Sequence, residues 1–320
     1  MKMDCYLGLD IGSVSTKFIL IDQNETEIEE LYLRTHADPI KAVKECFSFL
    51  NSRSRGDLSI KGVGTTGSGR QLAAIMTGAD IVKNEITCHA VAAVQTCPEV
   101  RTVIEIGGQD SKIIVIRNGV PVDFGMNTIC AAGTGSFLEQ QSNRIGISID
   151  DFGSYALKSI NPSAIAGRCT VFAETDMIHK QQQGHQIEDI IAGLCHALVR
   201  NYLNTVAKGK DIEEPVLFQG GVAANPGIID ALKKTLGKEI IVPQHYKVMG
   251  ALGAALLAKE MMSGTATPSG FKGIRHIVDC EFKAHSIICN DCEEACEIEK
   301  YTENGVEAAV RGGRCGKWDG

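Results

Sequence analysis

LDIGSVSTKFILID, residues 9–22, reads as a strand, a tight Gly-Ser turn and a second strand rich in Phe, Ile and Leu. A related stretch, IEIGGQDSKIIVIR, occupies residues 104–117. Aligned at an offset of 95, the two share an acid (Asp10 and Glu105), a glycine, and a lysine (Lys17 and Lys112). Two related hairpins about a hundred residues apart predict two α/β lobes of similar topology that arose by duplication.

The composition excludes several classes of protein. The chain has 320 residues, 44% of them hydrophobic, which is enough to bury a large core in two lobes. A net charge of -7 without a run of Lys or Arg excludes nucleic acid as the main ligand. No segment reaches the about 18 apolar residues of a membrane span, and the first residues lack a signal-peptide pattern. We therefore expect a cytoplasmic protein without membrane partners, whose 12 cysteines are reduced.

The glycine turns of both hairpins suit phosphate binding. Gly and Ser after a strand leave backbone N–H groups free and allow an anion to approach closely, so two such turns can hold a polyphosphate from both sides. Acids beside the turns are suited to position Mg²⁺ or its waters. The predicted catalytic residues are Asp10, Gln109 and Asp110. The predicted phosphate-binding residues are Gly12, Ser13, Val14, Ser15, Lys17, Gly107 and Gly108.

A third glycine element, FQGGVAANPG, spans residues 218–227, after an apolar strand and before a helix. Close backbone approach at Gly220, Gly221 and Val222 suits a flat ring such as adenine. Further on, VMGALGAALLAKEMM at 248–262 predicts a helix whose small residues permit tight packing against a neighbour.

The order of these motifs resembles that of the ASKHA superfamily, the actin, sugar-kinase and Hsp70-type ATPases. Within it, GTTGSGR at 64–70, NTICAAGTGSFLEQQ at 127–141 and AGRCTVFAETD at 166–176 resemble the BadF/BadG/BcrA/BcrD group. That group contains the ATP-dependent activators of 2-hydroxyacyl-CoA dehydratases and of related reductases. The resemblance covers roughly residues 4–262.

The resemblance implies an RNase H-like fold in each lobe, with ATP or ADP and Mg²⁺ between the lobes. It assigns Gly133 and Thr134 to the nucleotide cleft. It also implies a homodimer that shares one [4Fe-4S] cluster, a ferredoxin or flavodoxin as upstream electron donor, and a cluster-containing reductase or dehydratase as acceptor.

The residues around two cysteines agree with such a cluster. Cys130 and Cys169 each precede a predicted helix, where backbone N–H groups and the positive end of the helix dipole favour thiolate. A four-iron cluster needs four thiolates, and these helix starts supply two per chain, so two chains would meet at the cluster across a two-fold axis. Other cysteines are predicted to be buried, small apolar residues: Cys5, Cys46, Cys88, Cys97 and Cys195.

The last fifty or so residues stand apart, after a Ser/Thr/Gly/Pro linker. Cys289, Cys292 and Cys296 have the spacing of a metal knuckle, and a hairpin turning at Asn304-Gly305 would bring Cys315 beside them. Four thiolates indicate most simply a structural zinc site, while a second iron–sulfur cluster and no metal at all stay open. This extension departs from the short activators and favours a reductase that serves a related acceptor, such as a double-cubane cluster protein.

The predicted organisation is a lobe at 1–96 completed by the helix at 248–262, a second lobe at 97–247 with the cluster-binding helices, and a Cys-rich extension at 268–320. The predicted function is an ATP-hydrolysing electron donor to the metal cluster of a partner reductase or dehydratase. Two alternatives remain, a small-molecule kinase of the same superfamily and an Hsp70-like regulatory ATPase with zinc-binding cysteines. The stretch GTTGSGR is either a plain flexible turn or a place from which Arg70 reaches a phosphate.

Overall fold

The computed structural model describes residues 3–53, 58–127 and 131–318. By its contacts the chain forms two compact units, Met1–Glu85 with Gly250–Gly320, and Ile86–Met249. The sequence predicts the first boundary eleven residues later, after residue 96, and a separate segment at 268–320. In the structure the C-terminal residues join the first unit.

In each unit, three consecutive strands are followed by a helix. The N-terminal elements are β1 (Met3–Ile11), β2 (Ser15–Asp22), β3 (Glu27–Arg34), α1 (Pro39–Arg53), β4 (Leu58–Thr66), α2 (Arg70–Thr77), β5 (Ile81–Val82) and α3 (Glu85–Thr96). The middle elements are β6 (Thr102–Ile106), β7 (Ser111–Arg117), β8 (Val120–Asn127), α4 (Gly135–Ile145), α5 (Ile149–Ala156), α6 (Thr170–Gln182), α7 (Ile187–Thr205), β9 (Val216–Gln219), α8 (Pro226–Leu236) and β10 (Ile240–Ile241). The C-terminal elements are α9 (Met249–Ser263), α10 (Ile274–Asp279), β11 (Phe282–Ile288), β12 (Glu297–Glu303) and β13 (Val306–Arg311).

Each unit contains a five-stranded sheet of the same topology. The first has the order β3-β2-β1-β4-β5 and the second the order β8-β7-β6-β9-β10. In both sheets the first three strands are antiparallel and the last two join in parallel. The repeated order confirms the α/β class and the similar topology of two lobes that the related hairpins predicted.

The central strands of both sheets are nearly continuous apolar runs. This pattern is expected of strands that helices cover. In the second unit, α7 is the main covering helix, and its apolar residues pack with those of β6 and β9. In the first unit, the apolar residues of β1 and β2 pack with α1 and α2. The cysteines predicted to be buried are Cys5, Cys46, Cys88 and Cys195, which are buried, and Cys97, which is partly exposed.

Helix α9 packs very closely on the first sheet. A Cβ atom on Gly8 of β1 would stand 1.9 Å from the Ala251 carbonyl oxygen, and one on Gly64 of β4 would stand 2.1 Å from that of Ala254. Backbone therefore meets backbone, which only glycine permits in these strands. The prediction of a small-residue helix for tight packing is confirmed, with its ends one residue further along the chain.

The C-terminal residues form a three-stranded antiparallel sheet, β11-β12-β13. Its hairpin turns at Asn304 and Gly305, both at positive φ, as the sequence predicted. Phe282 and Tyr301 join the core of the first unit, and the ring of Phe271 stacks on Phe47 with 6.0 Å between centroids. The extension is therefore held by the first unit's own core. Among the described residues, no helix has both the length and the hydropathy of a membrane span.

Candidate functional site

The first hairpin places an acid and a lysine side by side. Asp10 and Lys17 face each other across β1 and β2, and Lys17 Nζ lies 3.1 Å from Asp10 Oδ2. The turn closes through a hydrogen bond from Gly12 N–H to the Ser15 carbonyl, and Thr35 Oγ1 donates to the Gly12 carbonyl. Asp10 is 5% exposed, so the turn holds a nearly buried carboxylate.

The GTTGSGR stretch lies beside Asp10. The sequence alone did not predict this position. Thr66 pairs with Asp10 in the parallel register of β1 and β4, and Gly69 N–H donates to the Ile11 carbonyl. The side-chain oxygens of Thr65 and Thr66 are buried without a hydrogen-bond partner among the described residues. Arg70 donates to the Gly67 carbonyl of its own turn at 3.0 Å. Two buried hydroxyls thus end the strand beside Asp10.

The second hairpin repeats the arrangement with one more acid. Lys112 Nζ lies 3.2 Å from Glu105 Oε2 and 2.7 Å from Asp110 Oδ2. The side chains of Lys112 and Glu105 are buried, whereas that of Asp110 is 30% exposed. Gly107 N–H closes the turn on the Asp110 carbonyl, and Gln109 is exposed. Asp110 is therefore the carboxylate of this cluster that a ligand can approach.

Helix α4 begins against the second turn. The N–H groups of Gly135 and Ser136 donate to the carbonyls of Gly107 and Gly108, both at 2.8 Å. Thr134 is the N-cap residue, is fully buried, and directs its hydroxyl to the Ala131 carbonyl at 2.8 Å. Gly133 is buried as well. The start of α4 therefore holds the second turn through Gly135 and Ser136. The contact of Gly133 and Thr134 with a nucleotide stays a prediction.

The third glycine turn also touches the second hairpin. Gly220 has φ +91, and a Cβ atom there would stand 2.4 Å from the Ile106 carbonyl and 2.6 Å from Glu105 Oε1. Gly221 is exposed, Val222 is 6% exposed, and both lie in a 3-10 turn at Gly221–Ala224. The close approach of these two protein segments requires glycine at position 220. The contact of Gly220, Gly221 and Val222 with an adenine ring stays a prediction.

Cys169 is the N-cap residue of α6, as the sequence predicted for a helix start. It is partly exposed, and its own side chain makes no capping hydrogen bond. Val171 and Phe172, which follow Thr170, are 66% and 65% exposed. Cys130 lies outside the described residues. The chain resumes in a 3-10 turn at Ala131–Gly133, and α4 begins at Gly135.

Asn201 of α7 contacts the segments next to both cysteines, and sequence reasoning missed it. Its amide nitrogen donates to the carbonyls of Gly167 at 2.8 Å and Arg168 at 3.4 Å, directly before Cys169. Its side-chain oxygen lies 2.9 Å from the position that a Cβ atom on Gly133 would occupy, and it has no partner among the described residues. An isolated Asn in an apolar helix carries no recognisable motif.

Neighbouring side chains fix the same loop. Arg200 donates to the Ile165 carbonyl at 2.5 Å, and Asp176 accepts from Ala166 N–H at 2.7 Å. Tyr202 donates to the Lys112 carbonyl at 2.9 Å, and burial raises its pKa well above the usual value, so it stays a neutral donor. Helix α7 therefore joins the second hairpin to the loop that ends at Cys169.

Two groups of candidate ligands lie in the C-terminal residues. Cys289, Cys292, Cys296 and Cys315 all lie at one end of the three-stranded sheet. A second group, His276, Cys280 and Glu303, was missed from the sequence and brings three ligand atoms within 4.8 Å of one another. Lys272 pairs with Glu303 at 2.6 Å, and burial raises the pKa of Cys280, so an ion pair and a neutral thiol account for this group.

Comparison with known proteins agrees with the predicted resemblance. The model of the BadF/BadG/BcrA/BcrD ATPase family matches residues 7–258. The 2-hydroxyisocaproyl-CoA dehydratase activator of Clostridioides difficile is 37% identical over 255 residues, covering 79% of this chain and 94% of the relative. A benzoyl-CoA reductase subunit of Thauera aromatica is 31% identical over 263 residues, covering 78% of this chain and 91% of the relative.

Solved structures extend the likeness to three dimensions. The activator of the 2-hydroxyisocaproyl-CoA dehydratase from Clostridium difficile with bound ADPNP has a TM-score of 0.73 at 34% identity, covering 81% of this chain and 96% of that one. A ROK family glucokinase from Streptomyces griseus has a TM-score of 0.54 at 14% identity, covering 80% of this chain and 99% of that one. This likeness shows a shared fold alone, and it confirms the predicted sugar-kinase type of fold. Because the family model spans most of the chain and a relative is 37% identical over 255 residues, the chain belongs to the BadF/BadG/BcrA/BcrD ATPase family.

Proposed function

We propose that this protein is an ATP-hydrolysing iron–sulfur electron donor that reduces the metal cluster of a partner reductase or dehydratase. The observation that carries the proposal is the position of Cys169 at the start of α6. Helix α7 connects the loop before Cys169 to the hairpin that contains Asp110. Relatives named as a dehydratase activator and as part of a reductase support the partner class. The C-terminal extension favours a related acceptor such as a double-cubane cluster protein, with a ferredoxin or flavodoxin as upstream donor.

The two hairpin turns supply the nucleotide chemistry. Backbone N–H groups of such turns bind phosphate, and the exposed carboxylate of Asp110 is suited to hold Mg²⁺ or to orient a water. Lys112 keeps Asp110 in place, while Asp10, the counterpart of Glu105, pairs with Lys17 in the first hairpin. Bound ADPNP in a relative of 34% identity supports ATP as the ligand.

The residues around Cys169 fit an iron–sulfur cluster. Aligned N–H groups at the start of α6 favour the thiolate that iron requires. Two cysteines per chain, Cys130 and Cys169, would leave a four-iron cluster half ligated, so a second copy must supply the rest. Exposed Val171 and Phe172 beside Cys169 offer the apolar surface that such a homodimer would cover. The cluster, when bound, supplies the electron, and we place the protein in the cytoplasm, where thiols stay reduced.

Helix α7 offers a route by which the hairpin influences the cysteines. Tyr202 contacts the Lys112 backbone, and the adjacent Asn201 contacts the loop before Cys169. A change in the turn of Asp110 that moves Lys112 therefore shifts α7 and the hydrogen bonds that orient Cys169. Hydrogen bonding and exposure around sulfur ligands set the potential of a cluster.

Anaerobic purification with an iron count and an absorbance spectrum tests the proposal. We expect a brown dimer with about two irons per chain, and a colourless protein that still binds ATP in Cys169→Ser. Cys97→Ser, which changes a partly exposed cysteine elsewhere, should keep its iron. Absence of iron from oxygen-free material, or an ATP-dependent phosphorylation of a small alcohol or acid, would instead support a kinase.

A further inference from the structure

Four cysteines lie at one end of the C-terminal sheet. Cys289 directly follows β11, Cys296 directly precedes β12, and these strands pair through Ile288 and Glu297. The Cys289 N–H donates to the Cys296 carbonyl at 2.8 Å, which closes the loop that carries Cys292. Because β13 runs back along β12, Cys315 emerges at the same end. The sheet topology thus brings Cys315 to the same end as the three cysteines of the β11–β12 loop.

The chain after β13 folds over this loop. Trp318 Nε1–H donates to Cys289 Sγ at 3.3 Å, while Lys317 pairs with Asp291 and Arg314 pairs with Glu294. The ammonium groups of Lys300 and Lys317 each lie 5.4 Å from the Trp318 ring. The Cys289 sulfur therefore accepts an N–H hydrogen bond, as the thiolate ligands of metal sites do, and its thiol also lies 3.5 Å from Asp291 Oδ2.

This end of the sheet has little apolar packing of its own. Ile298 and Cys289 are buried there, whereas Ile288 is 56% exposed and Cys292 and Cys315 are exposed. Phe282 and Tyr301 pack with the first unit instead. Small sheets with so little apolar packing are commonly stabilised by a structural metal.

We propose that Cys289, Cys292, Cys296 and Cys315 bind one zinc ion that joins the β11–β12 loop to the segment after β13. Zinc prefers four thiolates in a tetrahedron, with Zn–S distances of about 2.3 Å and hence sulfurs about 3.8 Å apart. No three of the four sulfur atoms lie within 4.8 Å of one another among the described residues, so binding must draw the β11–β12 loop and the segment after β13 together. Cys292 and Cys315 are exposed on these two segments, so the segments can approach each other without moving the strands.

Metal analysis of the full-length chain tests the site. We expect about one zinc per chain in the wild type and in Cys97→Ser, and less than about a tenth of that in Cys292→Ser and Cys315→Ser. Iron should stay at the wild-type level in all of these variants, because the site is separate from Cys169. ATP hydrolysis tests the proposed function independently of zinc content. Failure of the zinc proposal can therefore be distinguished from failure of the proposed function.

A second measurement covers the case in which the variants do not fold. Titration of the native wild type with an organic mercurial, followed by a zinc-sensitive dye, should release one zinc as these thiols react. Three results would each overturn the proposal. The first is zinc that persists in both variants, and the second is iron in place of zinc that both variants lose. The third is metal-free protein whose four thiols react as freely as the thiol of Cys97.

Discussion

Asp110 is the exposed carboxylate of an otherwise buried charge cluster. Its replacement in Asp110→Asn leaves Lys112 paired with Glu105, so the fold should survive. We expect ATP hydrolysis to fall about 100-fold or more, the usual effect of losing a positioned acid or base. Phosphate release measured beside Asp211→Asn, an exposed acid of the same unit, checks this, and an unchanged rate would exclude Asp110 from hydrolysis.

Asn201 offers a test of the contacts around Cys169. Asn201→Ala removes the donor to the Gly167 and Arg168 carbonyls, which we expect to cost about 1–3 kcal/mol in the free energy of unfolding. If the side chain positions the Cys169 loop, the reduction potential and the EPR spectrum of the iron-loaded protein should change too. Asn204→Ala, on the exposed side of the same helix, is the control. A less stable variant with an unchanged potential would assign Asn201 a structural role alone.

Buried thiols predict a loss of stability at alkaline pH. Burial raises the pKa of Cys46 from 9.0 to about 12, and that of Cys195 to about 12. Because the unfolded chain loses these protons first, the stabilisation is complete below pH 9 and is lost as the pH rises towards 12. The expected loss is about 1.4 kcal/mol per thiol for each pH unit. Denaturant titrations at pH 8 and pH 10 should show a smaller loss in Cys46→Ala, and an equal loss would contradict the assignment.

At the scale of elements, the contact of α9 with β1 depends on a single missing side chain. In Gly8→Ala the new Cβ atom would meet the Ala251 carbonyl at 1.9 Å, and backbone must move to relieve the overlap. Overpacking of this kind destabilises proteins by about 1–3 kcal/mol or more. Gly264→Ala is the matched control, since no heavy atom lies within 4 Å of its Cβ position. Thermal unfolding of both variants checks the prediction, and equal melting temperatures would show that α9 adjusts freely.

The start of α6 combines a thiol with exposed apolar side chains, and the remaining described elements of the second unit do not bury them. Helix α6 is held to α4 through Glu174, which pairs with Arg144 and accepts from Gln140 at 3.3 Å. The two helices that follow the predicted cluster ligands are therefore linked to each other as well as to α7.

At the scale of the whole molecule, the proposed homodimer requires an apolar surface at α6. Phe172→Asp changes a side chain that is 65% exposed, so the monomer should fold, whereas a covered interface would receive an unpaired charge. We expect a shift from dimer to monomer and loss of iron. Ile160→Asp, at a position that is 96% exposed, should change neither. Sedimentation velocity with an iron count decides, and a Phe172→Asp dimer with full iron would place the interface elsewhere.

Local patterns of residues were sufficient to predict the duplicated hairpins, the helix start at Cys169 and the Asn304-Gly305 turn, because each depends on periodicity and turn chemistry among neighbours. Three features emerged from the folded chain alone: the C-terminal sheet shares the core of the first unit, Gly135 and Ser136 bond to the second turn, and Asn201 reaches the Cys169 loop. Each of these joins segments distant along the chain, and long-range packing leaves no pattern in the neighbouring residues.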